Sequence, residues 1–140
     1  MLISLLIFMT KVPQEIIENV LAMYMQEQRI LLEADVEYPK SRGKFLIGPT
    51  YYVFSPFEHA TDIDIQLCLN QLAYVSLYEG INFGAHPCLN GKDFFKLQKE
   101  GMLIIESRKR FRRAIPTDRE ITAELTLKEL RERQGIIFAD

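Results

Sequence analysis

The stretch 62–79 constrains this chain more than any other part of it. Ile63, Leu67, Asn70, Tyr74 and Leu77 recur at three- and four-residue intervals, so they share one face of an α-helix. Ile65, Cys68, Leu69, Leu72, Ala73 and Val75 make most of the remaining surface apolar too. A helix that is apolar nearly all round has to be covered on most sides. Thr61 is placed to cap it, and Asp62 and Asp64 put negative charge in the first turn, where the helix dipole favours it. Gly80 is expected to end it.

The flanking segments supply the cover. Pro13 opens a helical pattern that buries Ile16, Ile17, Val20, Leu21 and Tyr24. In 29–38, Leu32, Ala34 and Val36 alternate with Glu33, Asp35 and Glu37, which predicts a strand. Pro39, Ser41 and Gly43 mark a turn, and 45–54 predicts a second strand, with Gly48-Pro49 as a bulge or break. A loop covers 55–60. Beyond the central helix lie a Gly/Pro/Asn-rich loop and a short helix at 93–98. An apolar run at 102–105 then enters a basic strand at 106–113, which Ile115-Pro116 breaks. Residues 121–130 alternate again, and 136–138 begins another strand. A long apolar helix among alternating strands predicts an α+β fold, with an antiparallel sheet wrapped round the helix.

A chain of 140 residues is expected to form one domain, here 12–140, after an apolar arm at 1–11. The apolar start lacks the charge and cleavage pattern of a signal peptide, and it is far shorter than the ~20 residues of a membrane span. An upstream mis-start or a packed arm is favoured over a membrane-touching tail. Net charge is −2, which gives no overall pull toward nucleic acid or anionic lipid, so a phosphate-bearing partner needs a local patch. The two cysteines, Cys68 and Cys88, form no disulfide framework and no metal-ligand spacing. A reduced, cytoplasmic setting follows most simply, with no metal expected.

The run Asp64-Ile65-Gln66-Leu67-Cys68-Leu69-Asn70-Gln71-Leu72-Ala73-Tyr74 resembles the central helix of the FcoT-like family of long-chain fatty acyl-CoA thioesterases. Met102-Leu103-Ile104, Ser107, Arg110-Phe111-Arg112 and Pro116 give a second match, and Val20-Leu21, Tyr24 and Arg29 a third. The resemblance covers the chain from about Val12 onward. It implies a hotdog fold, in which a sheet wraps a long helix and protomers pair as a homodimer or larger homo-oligomer. Hotdog domains normally carry further sheet, so the chain is expected to lack its last strand or strands.

The resemblance also implies an acyl thioester substrate, carried on coenzyme A or on an acyl carrier protein. No cofactor is implied beyond the coenzyme A or phosphopantetheine of the substrate itself. Relatives in isonitrile-lipopeptide pathways add glycine to a carrier-bound enoyl group, so the substrate class is implied more firmly than the reaction. The family's polar site residues fall on Tyr24, Tyr52, His59 and Asn70. A further asparagine of the family, just before the central helix, is replaced here by Thr61.

Thioester hydrolysis needs an activated water and donors for the developing oxyanion. Asn70 offers an amide N–H, and Tyr52 and Tyr24 offer hydroxyls. The plainer reading of Asn70 is a structural polar residue, and of each tyrosine a core aromatic. His59 is the best-placed proton acceptor by residue type, set against an idle loop histidine. Asp64 is a further catalytic candidate, although stabilising the helix dipole is the favoured reading of it. Thr61 and Tyr74 are expected to contact substrate. Arg108, Arg110 and Arg112 suit a phosphate handle or an acidic carrier, set against a solvated edge strand. Three functions follow: thioester hydrolysis, addition of glycine to a carrier-bound enoyl thioester, and non-catalytic acyl binding.

Overall fold

The protein is described by a computed structural model over residues 9–49, 53–55, 57–102, 108–134 and 136–140. Its elements are β1 (Thr10–Lys11), α1 (Gln14–Val20), β2 (Leu31–Glu37), β3 (Lys40–Leu46), α2 (Asp62–Asn82), α3 (Phe94–Glu100), β4 (Glu120–Thr126), β5 (Leu130–Arg133) and β6 (Ile136–Ala139). The first four strands form one antiparallel sheet in the order β1-β2-β3-β4, and α2 lies against β2, β3 and β4. A four-stranded antiparallel sheet laid across one long helix is the hotdog arrangement. β5 and β6 form a separate antiparallel hairpin.

Part of the expected N-terminal arm joins the sheet. Thr10 and Lys11 pair with Val36 and Asp35, and the Val12 N–H donates to the Ala34 carbonyl at 2.8 Å. β2 carries an irregularity between Leu31 and Glu33. Such a slip changes which residues face inward, so Leu31, Ala34 and Val36 can all be buried although they are not evenly spaced.

The expected turn is shorter than its composition suggested. The chain reverses at the cis peptide Tyr38-Pro39, and Ser41 and Gly43 lie inside β3, opposite Val36 and Ala34. Gly43 is there for contact rather than for a turn. A Cβ on it would stand 2.7 Å from ring atoms of Phe45, a fully buried side chain. β3 ends at Leu46, ahead of Gly48-Pro49; of the rest of the expected strand, 50–52 lie outside the described residues and 53–55 are bends. In place of the basic strand at 106–113, the described residues 108–113 make no ladder, while 103–107 lie outside the description. The 121–130 strand is divided: β4 stops at Thr126, the Leu127 N–H donates to the Pro39 carbonyl at 2.9 Å, and β5 begins at Leu130.

α2 runs past Gly80 to Asn82. Gly80 lies within the helix because its neighbours come close: a Cβ there would meet Leu89 Cδ1 and Tyr38 Cδ2, each at 3.1 Å. Phe83 ends the helix, and Gly84, at φ +59°, takes the left-handed conformation after it. The buried positions are Asp64, Cys68, Gln71, Leu72, Val75, Ser76, Glu79 and Gly80, whereas Ile63 and Leu69 are exposed. The deepest stripe is thus rotated from the one the apolar residues marked. It packs into a core with Val20, Leu21, Leu31, Ala34, Phe45 and Ile47. Among the described residues, no helix is long and apolar enough to cross a membrane.

Candidate functional site

The N-terminus of α2 is closed by its own side chains. The Thr61 N–H and hydroxyl donate to Asp64 Oδ2 at 2.7 and 2.8 Å, and the Asp64 N–H donates back to Thr61 Oγ1 at 3.4 Å. This is a capping box, with an aspartate in the place more often held by glutamate. Asp64 is buried, and its Oδ2 already accepts two hydrogen bonds. One of the two carboxylate oxygens of Asp64 is therefore committed to the helix cap.

Two turns further on, three of the expected site residues meet. Tyr24 follows α1, and its ring lies 6.4 Å from that of Tyr74, tilted by 40°. Tyr74 meets Phe94 edge-on, with ring centroids 6.3 Å apart. Burial pushes the Tyr24 phenol up to about 12, Tyr74 adds to the rise, and Asn70 opposes it. A neighbour that lowers a phenol's pKa does so by donating a hydrogen bond to the charged oxygen. Asn70 therefore lies beside the Tyr24 phenol. The oxygen of its amide is held: Gln66 Nε2 donates to Asn70 Oδ1 at 2.9 Å, one helical turn away. Fixing the oxygen leaves the N–H group free to serve an acceptor beside the Tyr24 hydroxyl.

The other expected residues lie elsewhere. His59 is exposed and stacks on Phe57 with ring centroids 5.5 Å apart. Its backbone bridges Pro116, and the neighbouring Ala60 N–H donates to the Ile115 carbonyl at 2.7 Å. Arg108, Arg110 and Arg112 are exposed on an irregular segment. That segment is tied to the start of α2 by an ion pair of Lys109 with Asp62 at 3.1 Å. Along the axis, Asp62 lies about 12 Å from Asn70 at the rise of a regular helix. Tyr52 lies outside the described residues. Cys68 is buried, and burial pushes its thiol up to about 12, with the Asp64 charge adding to the rise. A thiol held that high is no nucleophile near neutral pH. Among the described residues, no three His, Cys, Asp or Glu side chains converge as metal ligands.

The model of the FcoT-like thioesterase domain matches residues 19–139, a span that includes Tyr24, Asn70 and Tyr74. The chain belongs to the FcoT-like thioesterase family. It is also 31% identical over 114 residues to a (2E)-enoyl-ACP glycyltransferase of Mycobacterium marinum. That alignment covers 76% of this chain and 61% of the relative, so the chain spans about three fifths of that protein's length.

Two residues of this FcoT-like domain escaped the reading of its sequence. Gln66 steadies Asn70, and its i, i+4 spacing was the available signal. Gln71 is fully buried, with its Oε1 accepting from the N–H groups of Ile30 and Leu31 at 3.0 and 3.1 Å and its Nε2 donating to the Gln28 carbonyl at 2.6 Å. A lone glutamine beside an apolar stripe gives no sign of such long-range partners.

Proposed function

We propose that this FcoT-like domain processes acyl thioesters by holding the thioester carbonyl at the Tyr24–Asn70 pair. In the first reading it hydrolyses an acyl-CoA or acyl-carrier thioester. Water adds to the carbonyl carbon, the oxyanion is met by the Asn70 N–H and the Tyr24 hydroxyl, and the thiolate leaves with a proton. The proton that the departing thiolate takes comes from the attacking water, and Tyr74 lines the carbonyl's surroundings; His59, exposed before the start of α2, stays outside this step. Arg108, Arg110 and Arg112, anchored near the α2 N-terminus through Lys109, hold the phosphate of the handle. The observation that carries the proposal is the convergence of Tyr24, Asn70 and Tyr74 on one part of α2.

A second reading is favoured by the glycyltransferase relative and by the engagement of Asp64 in its capping box. Here an amine nitrogen bonds to the β-carbon of a carrier-bound enoyl group, and a proton reaches the α-carbon. The thioester survives. The same donors stabilise the enolate, so this reaction asks for no activated water. One intact-mass time course separates the two. Hydrolysis releases free thiol from acyl-CoA or acyl carrier, whereas addition gives a mass gain on an enoyl carrier with glycine and no thiol. If neither product forms above background, the domain is a binding module and both readings fail.

A further inference from the structure

We propose that Gln71 is a positioning residue that sets Tyr24 against Asn70 through the backbone of 28–31; the inference rests on the site reading above. Tyr24 does not sit on a regular element. It lies between the end of α1 and the start of β2, just before a 3-10 turn at Gln26–Gln28, and Met23 and Met25 on either side of it are exposed, at 52% and 68%. Between the buried Leu21 and Ile30, Tyr24 packs on the core with exposed neighbours, so polar clamps add to its hold.

Among the described residues there are three such clamps. Gln98 of α3, itself buried, donates through Nε2 to the Val20 carbonyl at 2.9 Å and fixes the end of α1. Arg29 donates through Nε to the Tyr24 carbonyl at 3.0 Å and reaches the Ala22 carbonyl at 3.4 Å, closing the stretch on itself. Gln71 then joins the stretch to α2 by three hydrogen bonds, to Gln28, Ile30 and Leu31. Gln71 and Asn70 are consecutive on one rigid helix. Asn70 faces the Tyr24 side chain while Gln71 grips the chain that follows it, so a single turn of α2 fixes both ends of the pair. Of the three clamps, only Gln71 ties the stretch directly to the helix that carries Asn70. Its buried amide has every donor and acceptor it needs except one N–H, which makes the link directional rather than merely space-filling.

The test uses the full chain with Gln71→Met, which keeps the volume and removes all three bonds, and with Gln71→Glu, which keeps the acceptor for Ile30 and Leu31 but loses the donor to Gln28. Amide hydrogen exchange, ionisation of Tyr24 (assigned by Tyr24→Phe) and steady-state kinetics are read together. In Gln71→Met, the amides of 24–31 exchange roughly tenfold or more faster while those of α2 remain the slowest in the molecule. Tyr24 ionises at lower pH than in the parent protein, and kcat falls roughly tenfold or more with KM held within about twofold, since a misplaced donor weakens the transition state more than binding. Gln71→Glu shows the same changes at smaller size, and it carries the test if the methionine variant does not fold. Unchanged exchange in 24–31, or faster exchange with kcat and Tyr24 ionisation both unaltered, overturns the proposal. If the parent protein turns over no acyl thioester, the site reading fails instead. Tyr24 ionisation in the variants then decides the clamp, and a value that does not move overturns it.

Discussion

Replacing Asn70 by leucine separates the chemical role of this amide from its structural one, because the two losses differ in size. On the structural side, the substitution removes the Gln66–Asn70 bond of 2.9 Å on the face of one helix, a contact worth about 0.2–0.5 kcal/mol. It also removes a polar neighbour of the partly buried Tyr24 hydroxyl, but leucine adds apolar contact beside Tyr24 and Tyr74. The net change in stability is at most about 1 kcal/mol, or roughly 2–5 °C in Tm for a domain of this length. On the chemical side, loss of one donor to a developing oxyanion costs about 10²–10³ in kcat, or some 2.7–4 kcal/mol. Thermal melting and thioester turnover on the same preparation therefore give a folded protein with activity reduced at least a hundredfold. Activity within about threefold of the parent refutes the assignment of Asn70 to the carbonyl. A collapse of Tm beyond about 10 °C, well past the shift expected for a 1 kcal/mol loss, shows that the amide is structural after all.

Gly43→Ala forces a methyl into the ring of Phe45, which has no exposed edge to yield, and costs about 1–3 kcal/mol; a urea midpoint equal to or above the parent's contradicts the contact. Thr61→Ala removes the α2 capping box and lowers stability by about 0.5–2 kcal/mol, read from the same unfolding curves; no change means that Asp64 caps the helix alone. Glu79 is buried with Oε1 unpartnered, and burial raises its pKa. The folded protein thus holds its proton more tightly than the unfolded chain, so stability from this group is present below the ordinary glutamate range and is lost as pH rises through the folded value. Glu79→Gln is expected to raise Tm at neutral pH, with the gain fading as pH falls through the raised folded value and gone below the ordinary glutamate value of about 4.5; a gain independent of pH contradicts the burial.

How much of this was legible in the sequence depends on where polar residues go. The existence of α2, its Thr61 cap and the alternation of Ile121, Ala123 and Leu125 in β4 follow from patterns that local physics enforces. The inward face of α2 did not follow, because Gln71, Ser76 and Glu79 are buried, and hydropathy assigns such residues to solvent. Gln71 is buried for bonds to a segment some forty residues away, which no local pattern encodes. Glycine misled twice for one reason. Gly43 and Gly80 were read as a turn and a stop, yet each is required by a close neighbour, Phe45 in one case and Tyr38 with Leu89 in the other. Of the site, Tyr24, Asn70 and Tyr74 come together as side chains, while His59 and the arginines stay apart from them; only the fold could make that division.

The central claim is that Asn70 and Tyr24 donate to a thioester carbonyl, and isotope-edited infrared difference spectroscopy reads that contact directly. A thioester labelled with carbon-13 at its carbonyl, bound to the parent protein in a slowly reacting form, should show a C=O stretch at lower frequency than in water, with the shift largely lost in Asn70→Leu and reduced in Tyr24→Phe. A bound carbonyl that vibrates at the same frequency in all three proteins would contradict the account.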